Sequence, residues 1–209
     1  MDSHIKDRNR LLAELVIRGL RSRNMSGYFV EDKEEALQKA LSLIPEGSSV
    51  SMGGCMSARE IGLVDALKAG PYHFIDRYDY EVQEEGEKAG HFVDVFLASA
   101  NAMTNNGMIV NIDGHANRIS AIANGPEKVL LIVGMNKICP DLDTAMKRAR
   151  NVAGTINVRR HNLNTPCSKT GACFDCLQPD TICCQMLITR YSRHSDRIHV
   201  ILVNDNLGF

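Results

Sequence analysis

The chain has 209 residues, with 24 Lys and Arg against 25 Asp and Glu, seven Cys and no Trp. A formal net charge of -1 offers no electrostatic footprint for nucleic acid or an anionic membrane surface. Hydrophobic content of 44% beside 23% charged residues excludes a disordered chain, and this length supports an ordinary core without disulfide staples.

Ile5, Leu11, Leu12, Leu15, Val16 and Leu20 recur at helical spacing and predict a helix over 3–23, capped by Asp2 or Ser3. Residues 28–30 read as a short strand. Residues 32–43 read as a helix that Pro45-Glu46-Gly47 stops. Further strands are predicted at 49–52, 73–75, 94–98, 108–112, 128–133 and 198–203. Helices are predicted at 57–68 and 141–152, with a Glu-rich helix between the strands at 73–75 and 94–98. This alternation predicts parallel βαβ units in one α/β domain over 1–209, with a Cys-rich appendage at about 165–185. The first residues, Met1-Asp2-Ser3-His4, carry no apolar signal region. The longest apolar run, near 129–133, falls far short of the roughly 18 residues of a membrane span. The expected location is therefore the cytoplasm, where thiols stay reduced.

Five of the seven cysteines, Cys167, Cys173, Cys176, Cys183 and Cys184, crowd into the appendage. Pro166, Gly171 and Pro179 argue against a regular helix or strand there, so an irregular loop is expected. Such a loop has little to bury, and a metal held by thiolates supplies the missing crosslinks. Buried free thiols are the alternative, but these normally sit on periodic elements. The spacing is Cys-x5-Cys-x2-Cys-x6-Cys. Structural zinc commonly uses two paired knuckles, and only one pair is present. Uneven spacing favours an iron–sulfur cluster, of the 4Fe-4S kind, with zinc as the alternative. Cys167, Cys173 and Cys176 are the expected ligands, with Cys183 or Cys184 as the fourth.

Parallel sheets place ligands in the loops beyond their strand ends. Four such loops carry polar groups. Gly53 and Gly54 follow a strand and allow close backbone approach to an anion, and Ser57 with Glu60 matches a capping box. The glycines match neither a dinucleotide fingerprint nor a Walker loop, and a plain strand-to-helix turn uses the same residues. Asn101 and Thr104 offer donors and acceptors in the second loop. Asp113, His115, Asn117 and Arg118 in the third combine acid–base groups with an anion clamp. Asn136 and Lys137 stand in the fourth, where Lys137 would neutralise an anion. Asp113, as base, and Lys137 are thus the catalytic candidates. Gly53, Gly54, Ser57, Asn101, Thr104, Asn117, Arg118 and Asn136 are the ligand-binding candidates.

Six ordered motifs carry a family resemblance. They are Gly53-Gly54 before Ser57-x-x-Glu60-Ile61-Gly62; Ser99-x-Asn101-x-x-Thr104-x-x-Gly107; Asn111-Ile112-Asp113-Gly114-x-x-Asn117-Arg118; Gly125-Pro126-x-Lys128; Gly134-x-Asn136-Lys137; and Thr165-Pro166-Cys167. Together they resemble the LUD-domain, or lactate-utilization, proteins from about residue 5 to Phe209. The resemblance implies a three-layer α/β sandwich with a mainly parallel sheet, of the phosphosugar-isomerase and CoA-transferase kind. It implies an iron–sulfur component, an oxidoreductase subunit, in the oxidation of L-lactate or another small 2-hydroxy acid. It also implies iron–sulfur or flavin partner subunits, and is compatible with a homo-oligomer. The branch with four cysteines makes Cys183 the fourth ligand and Cys184 spare. The competing expectation is an isomerase- or transferase-like enzyme, or a non-catalytic ligand-binding subunit, with a structural zinc. Three departures stand out: Cys55 replaces a usual Ser, His115 a small hydroxyl residue and Ala116 a usual Gly. Cys55 and His115 point to a ligand other than lactate, and Ala116 argues against very close backbone approach.

Overall fold

The computed structural model describes residues 1–209. The first helix, α1 (Ser3–Ser22), starts where the Asp2 carboxylate accepts the His4 N–H. Its buried stripe of Ala13, Val16 and Leu20 packs inward, while Leu11 and Leu15 face out. Then follow β1 (Ser26–Val30), α2 (Lys33–Leu43), β2 (Ser49–Met52), α3 (Met56–Glu60), α4 (Leu63–Ala69), β3 (His73–Ile75), α5 (Gln83–Ala89) and β4 (Val95–Ala98). The chain continues through β5 (Ala102–Thr104), β6 (Ile109–Asp113), α6 (Asn117–Ala123), β7 (Lys128–Gly134) and β8 (Ile138–Cys139). It ends with α7 (Leu142–Arg148), α8 (Thr155–Arg160), α9 (Pro166–Thr170), β9 (Gln185–Thr189) and β10 (Ile198–Val203).

Six strands form one wholly parallel sheet in the order β1-β10-β7-β4-β2-β3. The central strands are apolar on both faces, as a sheet covered on both sides requires. Val129, Leu131 and Val133 of β7 point to one core with α1. Leu130 and Ile132 point to the other, with α2 and α4. This is the three-layer α/β sandwich expected of the sequence.

A second sheet, β8-β5-β6-β9, starts where the first ends. The chain leaves β4 through Ser99–Asn101 into β5, and leaves β7 through Met135–Lys137 into β8. Those two crossings carry Ser99, Asn101, Asn136 and Lys137 into the gap beyond the parallel strand ends. Under the small sheet lies a third cluster of Ala102, Val110, Ile112, Cys139, Ala145 and Ala149. Cys139 is therefore a packing residue.

Several local expectations change. The helix at 57–68 is two helices, because Gly62 takes a left-handed φ of 76° between α3 and α4. The Ser57–Glu60 capping box does not form, since α3 begins one residue earlier with Cys55 at its cap and no side-chain cap bond. Glu60 instead accepts the Gly208 N–H at 3.1 and 3.2 Å. The helix at 141–152 ends at Arg148 and widens into π-helical turns over Ala149–Gly154 before α8. The thiol-rich loop contains the short helix α9. Pro166 sits in its first turn, where a missing N–H costs nothing, and Thr165 caps it. Gly171, at φ 75°, ends it.

Candidate functional site

A pocket of about 520 Å³ opens beyond the parallel strand ends, between the two sheets. Gly54, Ser57, Asn101, Asp113, Asn117, Arg118 and Lys137 all line it, together with His115. Gly53 acts beneath them: a Cβ there would lie 2.8 Å from Arg118 Cγ, so the missing side chain lets Arg118 cross the loop. Thr104 and Asn136 are not in the wall. The Thr104 hydroxyl bonds Asn106 Oδ1 at 2.6 Å and accepts the Met108 N–H, closing a turn. Asn136 Oδ1 accepts the Leu207 N–H at 3.2 Å and anchors the chain's last residues.

Lys137 is 2% exposed, on the pocket floor. Its Nζ lies 3.0 Å from Ser99 Oγ and 3.4 Å from Ser57 Oγ, and no carboxylate pairs with it. Ser99 Oγ gives its own proton to the Ile132 carbonyl at 2.6 Å, so toward Lys137 it can only accept. Burial pulls the Lys137 ammonium down to about 8; Arg148 and Arg118 push the same way, while Cys55 and Glu60 oppose them. A lysine of this kind gives up its proton as pH rises through about 8, well below an ordinary lysine, and its neutral form is a usable base or nucleophile.

Asp113 is held differently. Its Oδ1 accepts Arg118 Nε at 2.9 Å and Nη2 at 2.7 Å, and its Oδ2 accepts the Ile119 N–H at 2.8 Å. Arg118 Nη2 also reaches Asn101 Oδ1 and the Ile112 carbonyl. The pair is thus a braced unit. Arg118 Nη1 and Asn101 Nδ2 carry no protein partner and remain available to a ligand. Ala116, immediately before α6, stands at φ 60°, the left-handed region that favours Gly.

Sequence reasoning missed the pocket mouth. Arg77 and Arg160 point toward Gly54, with His161 bonded to Arg160. Arg77 pairs with Glu87 at 2.6 Å, whereas Arg160 has no carboxylate partner. Arg77 follows β3, so the rule that ligands gather at parallel strand ends could have flagged it. No periodic signal marks Arg160.

Cys55 is 2% exposed and packs in the core, and burial pushes its thiol up, away from reactivity. The appendage gathers the other sulfurs. Cys183 is pushed up to about 11, first by burial and then by the neighbouring sulfurs of Cys173, Cys167 and Cys176. Cys184 is exposed and turns to the Thr181 carbonyl. Arg150, on the π-helical turns, reaches Cys173 Sγ at 3.6 Å, and its Nε is buried without a partner. No three Cys, His, Asp or Glu side chains already stand at metal-holding geometry. The donor set nevertheless fits a thiolate-held metal. Cys167, Cys173 and Cys176 are near enough to Cys183 to push its thiol up, and an anionic centre beside them would give the orphaned Arg150 nitrogen an acceptor.

The fold is a three-layer α/β sandwich with a polar, cation-bearing crevice where its parallel sheet meets a second sheet, the place where such folds commonly take ligands. A family model, the LUD domain, matches residues 13–203, and the chain belongs to that family, which is linked to lactate utilization. Among solved structures, the chain is similar to a DUF162 family protein from Deinococcus radiodurans. The TM-score is 0.54 at 12% identity, over 94% of this chain and 98% of that one, a likeness of fold. No curated protein matches the sequence. No helix is long and apolar enough to cross a membrane.

Proposed function

We propose that this protein is an iron–sulfur component in the oxidation of a small 2-hydroxy acid such as L-lactate, acting in the reducing cytoplasm. One observation carries the reading: the thiol-bearing segment forms part of the pocket wall. Ile182, next to Cys183, lines the pocket, and its Cα would lie 3.3 Å from a side chain on Gly114. An electron centre there would sit beside the bound acid.

Cys167, Cys173, Cys176 and Cys183 would hold the cluster, with Arg150 beside them. When bound, such a cluster accepts and passes single electrons. A flavin on a partner subunit would take the hydride that leaves the hydroxyl-bearing carbon, two electrons at once, and the cluster here and iron–sulfur partner subunits would pass those electrons on singly. In the pocket, Arg118 Nη1 and Asn101 Nδ2 hold the carboxylate of the acid. Lys137 takes the proton of its hydroxyl group, because the Asp113 carboxylate is committed to Arg118 and Ile119. Asp113 then acts by fixing the guanidinium plane.

Metal analysis with a visible spectrum of anaerobically purified protein tests this reading. The expected result is brown protein carrying iron and acid-labile sulfide. Colourless protein carrying one zinc per chain would sink the redox role and leave a structural metal.

A further inference from the structure

Lys137 is a buried amine with no acidic partner, and the base role proposed above does not use all of its features. Its Nζ points at two serine hydroxyls on a pocket floor, with the guanidinium groups of Arg148 and Arg118 close enough to disfavour its charge. Desolvation and neighbouring cations are the two devices that turn a lysine into a nucleophile. We propose that Lys137 captures a carbonyl: its Nζ forms an imine with the carbonyl carbon of a small 2-oxo acid held in this pocket.

The hydroxyls divide the work. Ser99 spends its proton on Ile132 and accepts one N–H from Lys137, which orients the nitrogen. Ser57, at 3.4 Å from both Nζ and Ser99 Oγ, has no other acceptor and is free to carry a proton. The neutral nitrogen attacks the carbonyl carbon, forming a C–N bond as the carbonyl π pair moves onto oxygen. Ser57 delivers a proton to that oxygen. Ser57 recovers its proton from the now cationic nitrogen, and the last nitrogen proton, relayed the same way, converts the hydroxyl to water, which leaves as the nitrogen lone pair closes the C=N bond. Amine and carbonyl become imine and water, and no oxidant is required. The carboxylate of the oxo acid meets Arg118 Nη1 and Asn101 Nδ2, which lack protein partners. Cys55 does not compete, since it is buried in the core and outside the pocket wall.

The choice of a 2-oxo acid rests on the function proposed above, because oxidation of a 2-hydroxy acid yields a 2-oxo acid in the same place. The groups that set the proton state of Lys137 are Cys55, Glu60, Arg118 and Arg148, with Asp113, His115 and His161 across the pocket. Capture is therefore expected to quicken as pH rises through about 8.

The test is reductive trapping on the full chain. Protein is incubated with pyruvate and cyanoborohydride, and the adduct is read by intact mass and peptide mapping. One adduct on Lys137 is expected, absent in Lys137→Met and in Lys137→Arg, the second variant guarding against a folding defect. Ser57→Ala should slow trapping at least tenfold without moving the adduct. No adduct, or adducts on surface lysines that persist in both Lys137 variants, overturns the proposal. A thermal shift with L-lactate, which has no carbonyl to capture, separates the two readings. A lactate shift without trapping refutes the imine and leaves the hydroxy-acid reading standing. Trapping of glycolaldehyde phosphate but not pyruvate overturns the 2-oxo acid assignment together with the hydroxy-acid reading.

Discussion

The pocket floor and the cysteine segment touch, yet different forces hold them. The floor is carried by the parallel sheet: Ser99 and Lys137 leave the ends of β4 and β7, whose cores are fully buried. Its polar groups are braced by named bonds, Arg118 to Asp113 and Ser99 to Ile132. The cysteine segment has one short helix, an exposed Phe174 and an exposed Leu177, and five free thiols. Topology builds the first region. The second buries almost nothing beyond Thr165, so no core of its own fixes its shape.

Breaking the cysteine segment should give the largest effect. Cys173→Ser is expected to lower bound metal at least tenfold and to expose residues 165–185 to protease, while the parallel sheet keeps its circular dichroism. For comparison, four-ligand structural zinc sites contribute on the order of 10 kcal/mol to folding. Metal content and mapped cleavage sites check this.

Breaking the floor comes next. Arg118→Ala strips the Asp113 carboxylate of its main partner while it remains 8% exposed. The expected loss is about 3 kcal/mol in denaturant unfolding, since removing one member leaves a buried charge unpaired. Metal content should not change, which separates the two regions.

Lys137→Met should act in the opposite direction. The folded chain holds Lys137 near 8 against an ordinary 10.5, so the cost of its buried charge is present below pH 8. Between those values the unfolded chain binds the extra proton, and wild-type stability rises with pH. The variant should therefore be more stable than wild type by about 2–3 kcal/mol at pH 7, with the gap closing above pH 10.5. Paired unfolding curves across pH check the sign. Smallest of the four, Ala116→Gly should relieve the left-handed backbone before α6 and add about 1 kcal/mol. A lower melting temperature would contradict that assignment of strain.

The parallel strands were legible because buried strands read as apolar runs, as in 128–133 and 198–203. The small sheet was mostly hidden: β5 and β8 have three and two residues, too few to show a period. β9 follows Cys184 directly and is mainly exposed, so it lacks a hydrophobic signature. At the site, loop position singled out Ser57, Asn101, Asp113, Arg118 and Lys137, and all five line one pocket. Spacing could not reveal that Asp113 is tied up while Lys137 stands unpaired, because that division depends on burial and partner geometry. Thr104 and Asn136 carry the same kind of turn chemistry as the residues that line the pocket, and only their hydrogen bonds tell them apart. Arg160 came from a helix with no motif at all.

The two regions meet where Ile182 lies against Gly114, and spectroscopy on the intact protein shows whether they communicate. Anaerobic protein is titrated with L-lactate while visible absorption and paramagnetic resonance are recorded. The expected result is iron–sulfur absorption whose bands or resonance signal shift saturably as lactate fills the pocket. An iron–sulfur signal indifferent to lactate, or a colourless zinc protein, would contradict it.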